Sequence, residues 1–386
     1  AGEYFSRQRR FPESRKQFEI AIERAPARRR ELQNRIGLQL INSGDITGAF
    51  EYLNQLLKKD PANGEALAIR ATLAIDTNRA ESALTDSRQL SKSDPNNPQF
   101  GYLLGRALAA NGDEAGARGY FSRIAQGNPN DVASRLELAK LALLSGSAND
   151  SARIATEILE KNPNQTDALL IRSQAYTKPM ELERARADLR LVLRQRPDSA
   201  AALIQLAYTD ALSNRGQAAE KVFASFYRPG QQNLRPLEGL ILVAKLEGKP
   251  QKVLALLEQE IKLRPEQPQI AAMLAEELLR KGDHPMAMQT VQRAILKNPK
   301  EPGLLLAYSR ALSEAGKLEE AEKVARELLA QGKLTQSVCT ARLAEVLQLQ
   351  GRNAEAITLY RTLLKDESQN VVFLNNLGFL IAEQKQ

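Results

Sequence analysis

Apolar residues recur along this chain at intervals of three and four rather than in alternation, so the pattern predicts amphipathic helices and no strands. The stretch from 66 to 95, ALAIRATLAIDTNRAESALTDSRQLSKSDP, shows the unit: two such helices, a polar turn between them and a closing proline. Proline recurs at Pro26, Pro61, Pro95, Pro129, Pro163 and Pro197, then at Pro265 and Pro299. After a first step of 35 residues every step is 34, or twice 34 where one proline is missing. The same step lands on Gln231 and Lys333, where proline is replaced, and one extra residue carries the register to Ser368. Eleven repeats and a final half are predicted.

Proline closes each unit because it cannot continue the helix before it and suits the first turn of the next. Seventeen residues before each closing position lies the turn between the two helices, at Gly44, Asn78, Gly112, Gly146, Met180, Asn214, Gly248, Gly282, Gly316 and Gly351. Glycine and asparagine tolerate the left-handed conformation that ends a helix. Met180 breaks that rule, and Lys178-Pro179 beside it points to a turn built differently. Two further columns are small. One runs Gly37, Ala71, Gly105, Ala139, Ser173, Ala207, Ile241, Ala275, Ser309 and Ala344. The other runs Ala49, Ala83, Ala117, Ser151, Ala185, Ala219, Val253, Ala287, Ala321 and Ala356. Small side chains let paired helices approach where they cross.

This 34-residue helix-turn-helix pattern, with its small columns, inter-helix glycine and terminal proline, resembles the tetratricopeptide repeat (TPR) family across essentially the whole chain. The resemblance implies an all-α fold, a right-handed superhelical α-solenoid of antiparallel helix pairs spanning 1–386, with a concave groove lined by the first helix of each pair. Each unit leaves an apolar face that a neighbour must cover, so stability accumulates through nearest-neighbour interfaces.

One departure is local. The second helix at Val222-Phe223-Ala224-Ser225-Phe226-Tyr227 meets Arg228-Pro229-Gly230 early, and in the next repeat both small columns are enlarged, to Ile241 and Val253. We therefore expect a kink at 228–236, with Phe226 and Tyr227 packed into it, separating an amino-terminal arm 1–227 from a carboxy-terminal arm 237–386.

Composition narrows the chemistry. The chain has one His, one Cys and no Trp, so His284 and Cys339 supply neither a Cys/His zinc cluster nor an internal disulfide. His284 falls in the turn Gly282-Asp283-His284-Pro285 and reads as a solvated surface histidine; Cys339, beside Val338 and Ala341, reads as a small buried or half-buried thiol. The stretch Glu181-Leu182-Glu183-Arg184-Ala185-Arg186 reads as a solvated, charge-paired helix face. There is no Gly-rich phosphate loop, serine nucleophile elbow or metal-ligand run. The reading therefore assigns no catalytic, cofactor or metal residues, and expects a non-enzymatic protein. No apolar run approaches the ~18 residues of a membrane helix. Net charge is +8, from 54 basic and 46 acidic residues, which permits nucleic acid without indicating it. The basic cluster Arg7, Arg9, Arg10, Arg15, Arg24, Arg28, Arg29 and Arg30 lacks aromatics interleaved with it on one face and reads as a solvated surface. The chain opens Ala1-Gly2, which we read as a processed or truncated product.

What remains is recognition of another molecule in the groove. Chaperone-binding TPR domains clamp a C-terminal carboxylate with Lys and Asn in one first helix, Asn in the next, and Lys and Arg in the third. Here those positions carry Asn34 and Leu38, then Ile69, then Gln99 and Leu103, so the clamp is not implied. Arrays of the O-linked glycosyltransferase type carry an asparagine ladder, where this chain has Arg35, Ile69, Leu103 and Glu137. The first-helix strip from Tyr102 through Arg106, Lys140 and Gln174 to Tyr208 is cationic, aromatic and apolar by turns. It suits a peptide or amphipathic helix carrying carboxylates. The expected function is a protein-protein interaction scaffold; the alternatives are the TPR portion of a larger enzyme or secretion-pore protein, a cytoplasmic adaptor, and an RNA-binding repeat whose affinity would fall steeply with salt. The opening EYFSRQRRFPESRKQFEIAIERAP and the closing LNNLGFLIAE are similar to bacterial TPR proteins of exopolysaccharide export and the associated PEP-CTERM sorting systems. That likeness implies an extracytoplasmic, lipid-anchored protein in a secretion assembly. Last, the apolar residues Phe373, Leu374, Leu377, Phe379 and Leu380 predict that 371–385 is covered by a further helix or by self-association.

Overall fold

The computed structural model describes residues 1–331, 336–368 and 370–383. Among them lie twenty-three α-helices and a short 3-10 turn, Pro26–Arg28, with no strand. The helices run in pairs, from Gly2–Arg7 with Phe11–Arg24 to Gln336–Leu349 with Asn353–Asp366, and a final helix Val371–Glu383 follows. That is eleven pairs and a half, the α-solenoid expected from the register. The replaced closing position Lys333 lies outside the described residues. The chain forms two compact units, Ala1–Ile171 and Arg172–Gln386; in each, helix pairs stack on their sequence neighbours. The expected kink at 228–236 falls inside the second unit.

The turns explain the regularity. All ten turn positions have positive φ, between 57° and 86°. In each, the next residue's N–H returns to the carbonyl five residues back, as Asp45 does to Leu40 and Asp113 to Leu108, which is the Schellman closure of a helix. Met180 was expected to differ and does not: its φ is 62° and Glu181 N–H closes on the Tyr176 carbonyl as elsewhere. The closure pattern imposes the conformation even without a glycine, and the Met180 side chain is left exposed. Asp45, Asp113 and Asp283 then cap the following helices, each accepting from the backbone N–H three residues on.

The small columns sit where paired helices cross, and all of them are buried. The packing reason is plain at Gly105, where an added Cβ would lie 2.7 Å from the Phe121 ring. The repeat with Ile241 and Val253 moves its close approach instead: Gly239 lies against Phe223 so closely that a methyl there would overlap the ring. Phe223 is fully buried and meets Tyr208 edge-on, with centroids 4.9 Å apart.

The helix Gly216–Phe226 does end early, at Tyr227, with Gly230 left-handed in the turn that follows. Phe226 and Tyr227 are half-buried there. The turn is tied to the next repeat by Glu260, which is fully buried and accepts from Tyr227 Oη at 2.6 Å, Gly230 N–H at 3.1 Å and Arg264 at 2.6 Å.

Buried charge also departs from the expected solvated faces. Arg186, placed by the sequence on a solvent face, is 2% exposed and donates to Asp210 at 2.6 Å and to Glu183. The helix register turns it inward, and Asp210 from the next first helix makes that burial tolerable. Arg70 with Asp86, and Arg172 with Asp188, form the same two-bond pair three repeats apart.

Candidate functional site

In the first unit, Tyr102 and Arg106 lie on the helix Pro98–Ala110 and Lys140 on the helix Val132–Leu144. Each already has a carboxylate. Arg106 donates to Asp76 at 3.1 Å, while Tyr102 Oη at 3.3 Å and Lys140 Nζ at 3.0 Å both donate to Glu137 Oε1. The pairings were not read from the sequence: Asp76 reaches Arg106 from the neighbouring repeat, and Glu137, three residues before Lys140 on the same helix, was read only as a member of its own column. Tyr102 is half-buried against Phe121, and burial, helped by Glu137, pushes its hydroxyl up to about 12. It is therefore a neutral hydrogen-bond donor at any ordinary pH. Arg106 and Lys140 keep 28% and 49% of their side chains exposed. Pairs at that exposure are worth about 0–1 kcal/mol, so an incoming carboxylate competes for these cations at little cost.

In the second unit Gln174 is half-buried on the helix Thr166–Thr177. Tyr208 spends its hydroxyl on the Arg235 carbonyl at 2.7 Å, and the Arg235 guanidinium lies 5.7 Å from its ring. Tyr208 is thus part of the packing between adjacent first helices as well as part of their surface.

Contacts of this kind recur. Arg310 donates to Glu276, Lys245 pairs with Glu277, and Arg342 donates to the Ser309 hydroxyl and carbonyl. Asn34 exchanges side-chain bonds with Asn63 in the next repeat and donates to Glu65; it is buried, not a groove residue. Side chains at first-helix positions therefore divide between holding the neighbouring repeat and facing outward, a division that column position alone does not reveal.

The other single residues resolve as follows. Cys339 is buried against Leu305 and Leu328, and burial pushes its thiol up. His284 is half-buried rather than solvated, with Nδ1 shielded and unpartnered, because it begins the helix His284–Ile295 instead of capping a free turn. In the basic cluster Arg10, Arg15, Arg28 and Arg30 are paired with Glu13, Glu19, Glu31 and Asp60. In the last helix Phe373 and Leu380 pack inward near Tyr360, contrary to the expected exposed face; the outward residues are Val371, Val372, Leu374 and Phe379. Residues 384 and 385 lie outside the described residues. No described group of His, Cys, Asp and Glu could hold a metal, and no described helix is long and apolar enough to cross a membrane.

Tetratricopeptide repeat family models match residues 1–64 and 70–132, and another matches 278–336. No curated protein matches the chain. Among solved structures, yeast Tom70 is 16% identical with a TM-score of 0.55, covering 100% of this chain and 94% of its own. A tetratricopeptide repeat protein from Parabacteroides merdae is 16% identical with a TM-score of 0.47, over 65% of this chain and 98% of its own. The APC/C hetero-tetramer Cut9-Hcn1 gives 12% identity and 0.43, over 98% and 88%. At these identities the Tom70 likeness shows the fold.

Proposed function

We propose that this chain, which belongs to the tetratricopeptide repeat family, is a non-catalytic scaffold that holds an acidic peptide or protein segment on its first-helix surface. The observation that carries this reading is the first-unit strip, where Tyr102 offers a neutral donor, and half-buried Arg106 and exposed Lys140 offer cations held by weak, exchangeable partners. Within the second unit, half-buried Gln174 and Tyr208 are the residues of the strip proposed to contact the partner. The likeness of the opening and closing segments to exopolysaccharide-export proteins supports placing the partner in a bacterial envelope assembly; a cytoplasmic adaptor is the competing placement.

Affinity capture with the full chain supplies the partner, and Arg106→Glu with Lys140→Glu then tests the strip. Binding should fall by about tenfold or more, the equivalent of about 1.4 kcal/mol, with helicity unchanged by circular dichroism. Unchanged affinity would remove the strip from the reading. We also propose that 371–385 carries self-association, supported by the outward Val371, Val372, Leu374 and Phe379. Sedimentation should show mass rising with concentration and falling back when Phe379 is replaced by Lys; a concentration-independent monomer would end that part.

A further inference from the structure

One column carries leucine in five repeats, at Leu67, Leu169, Leu203, Leu237 and Leu305, of which Leu67, Leu169, Leu237 and Leu305 are buried, and carries Arg135 and Ala271 in two others. At the corresponding position of the repeat on Pro98–Ala110 the residue is Gly101. Beside it lies a cavity of about 560 Å³, wholly within the first unit, lined by Tyr102, Tyr120, Arg123, Ile124, Asp131 and Ser134 among others. That size falls in the range of about 300–1,000 Å³ typical of ligand pockets. The backbone does not forbid a side chain at 101. An added Cβ would sit 3.5 Å from Ile124 Cδ1 and 3.7 Å from Tyr120 Cδ1, ordinary contact distances. The space that the chain's own leucine fills elsewhere is left open here.

Two polar features of the cavity are unspent. Ser134 occupies a column whose other members are apolar, from Leu32 and Ala66 through Phe100, Ala168 and Ala202 to Ile270 and Leu304, with Pro236 among them; it is fully buried, and its hydroxyl has no hydrogen-bond partner. A buried hydroxyl without a partner costs free energy that a ligand's amide would recover. Arg123 is exposed, with its guanidinium 5.3 Å from the Tyr120 ring centroid and no carboxylate partner among the described residues. It differs in this from Arg106 and Lys140. Asp131 caps its own helix by accepting from Ser134 N–H through Oδ2 at 2.8 Å, and its carboxylate is the one anionic group of the cavity lining, so the peptide's own carboxylate is directed to Arg123 instead.

We propose that this cavity receives a leucine-sized side chain from an acidic peptide. The side chain takes the place of the missing leucine between Tyr120 and Ile124, a peptide amide engages Ser134 Oγ, and a neighbouring carboxylate of the peptide pairs with Arg123. This inference rests on the reading of the partner as an acidic peptide and names the side chain it would anchor.

The test uses the full chain with the acetylated, amidated tripeptide Asp-Leu-Asp as probe at millimolar concentration, followed by two-dimensional NMR. Companion probes replace the leucine by alanine or both aspartates by asparagine, and N-acetylleucine serves as a small-molecule control. Gly101→Leu should fold, melt no lower than the wild type and bind the leucine peptide at least tenfold more weakly. Arg123→Gln should abolish the preference for aspartate over asparagine. Equal binding by wild type and Gly101→Leu, equal binding of the leucine and alanine peptides, or no binding by wild type would each overturn the proposal. N-acetylleucine binding as tightly as the tripeptide would also overturn it, in favour of a small-molecule site. Arg106→Glu with Lys140→Glu should weaken the leucine and alanine peptides by the same factor, whereas Gly101→Leu should erase the difference between them, so failure of the strip and failure of the cavity are read separately.

Discussion

Truncating Phe223 to alanine should destabilise the second unit by about 3–5 kcal/mol, the usual cost of removing a buried aromatic ring. Phe223 is fully buried, meets Tyr208 on one side and occupies the space over Gly239 on the other. The converse change, Gly239→Val, forces branched carbons into that ring and should cost about 1–3 kcal/mol by overpacking. The pair is informative together. In the Phe223→Ala background the valine enters the space the ring has left, so its cost should fall to near zero or change sign. Repeat arrays open in parts, so hydrogen exchange on the helices Gly216–Phe226 and Arg235–Leu246 is the appropriate measure, with urea unfolding of the full chain beside it. Strictly additive effects would show that Gly239 is not there to admit Phe223.

The second large effect is expected at Glu260. Its carboxylate is out of solvent and is the shared acceptor for Tyr227, Gly230 and Arg264, so Glu260→Ala strands a phenol, a backbone amide and a half-shielded guanidinium at once. Breaking a buried charge pair from one side costs about 3–5 kcal/mol. Burial by itself would raise the Glu260 pKa, but the bonds from Tyr227, Arg264 and Gly230 outweigh it and hold the carboxyl below its ordinary value of 4.5. A carboxylate depressed in the folded state contributes stability that is fully present above its unfolded pKa and is lost as pH falls through the folded one. Protection of amides 227–234 should therefore hold at neutral pH, decline as pH drops below about 4.5, and be low at all pH in Glu260→Ala. Glu322, held at about 2 against burial by Gln350, Arg326 and Arg352, should lose its contribution over the range from 4.5 downward as well. Acid-insensitive protection at 227–234 would refute the role of Glu260.

The same region carries the bend we propose at 228–236, dividing 1–227 from 237–386. It is supported by the early end of Gly216–Phe226 and by the bulk of Ile241 and Val253 in columns that are small elsewhere. Spin labels on Gly216–Phe226 and Pro250–Leu263 would give the angle between successive pairs, and an angle equal to that between other adjacent pairs would dispose of it.

Of the candidate site, the residue types on the first-helix strip were legible from their spacing, but their charge state was not. Lys140 read as a free cation because columns were read along the repeat while Glu137 sits three residues before it on the same helix, and Arg106 because Asp76 lies across a helix-helix interface, whose distances a one-dimensional register does not report. Arg186 and Asn34 were misread as outward-facing for the same reason: each buries its polar end against a partner 24 or 29 residues away. The cavity at Gly101 left a trace, a glycine in a column where five other repeats carry leucine, whose meaning depended on whether neighbouring side chains moved in to fill it.

What the sequence by itself determined is the repeating architecture. Helical periodicity, closing prolines and a turn column fixed eleven helix pairs and a half, because these signals act within a few residues and repeat too often to be overridden. Even Met180 was carried into the left-handed turn by the closure bonds around it. The tertiary structure alone decided which side chains were spent on the neighbouring repeat and which were left facing outward. Every repeat offers the same columns, but an interface is a joint property of two repeats, and small changes of volume or charge in one, such as Gly239 or Ser134, matter only through what the next places opposite.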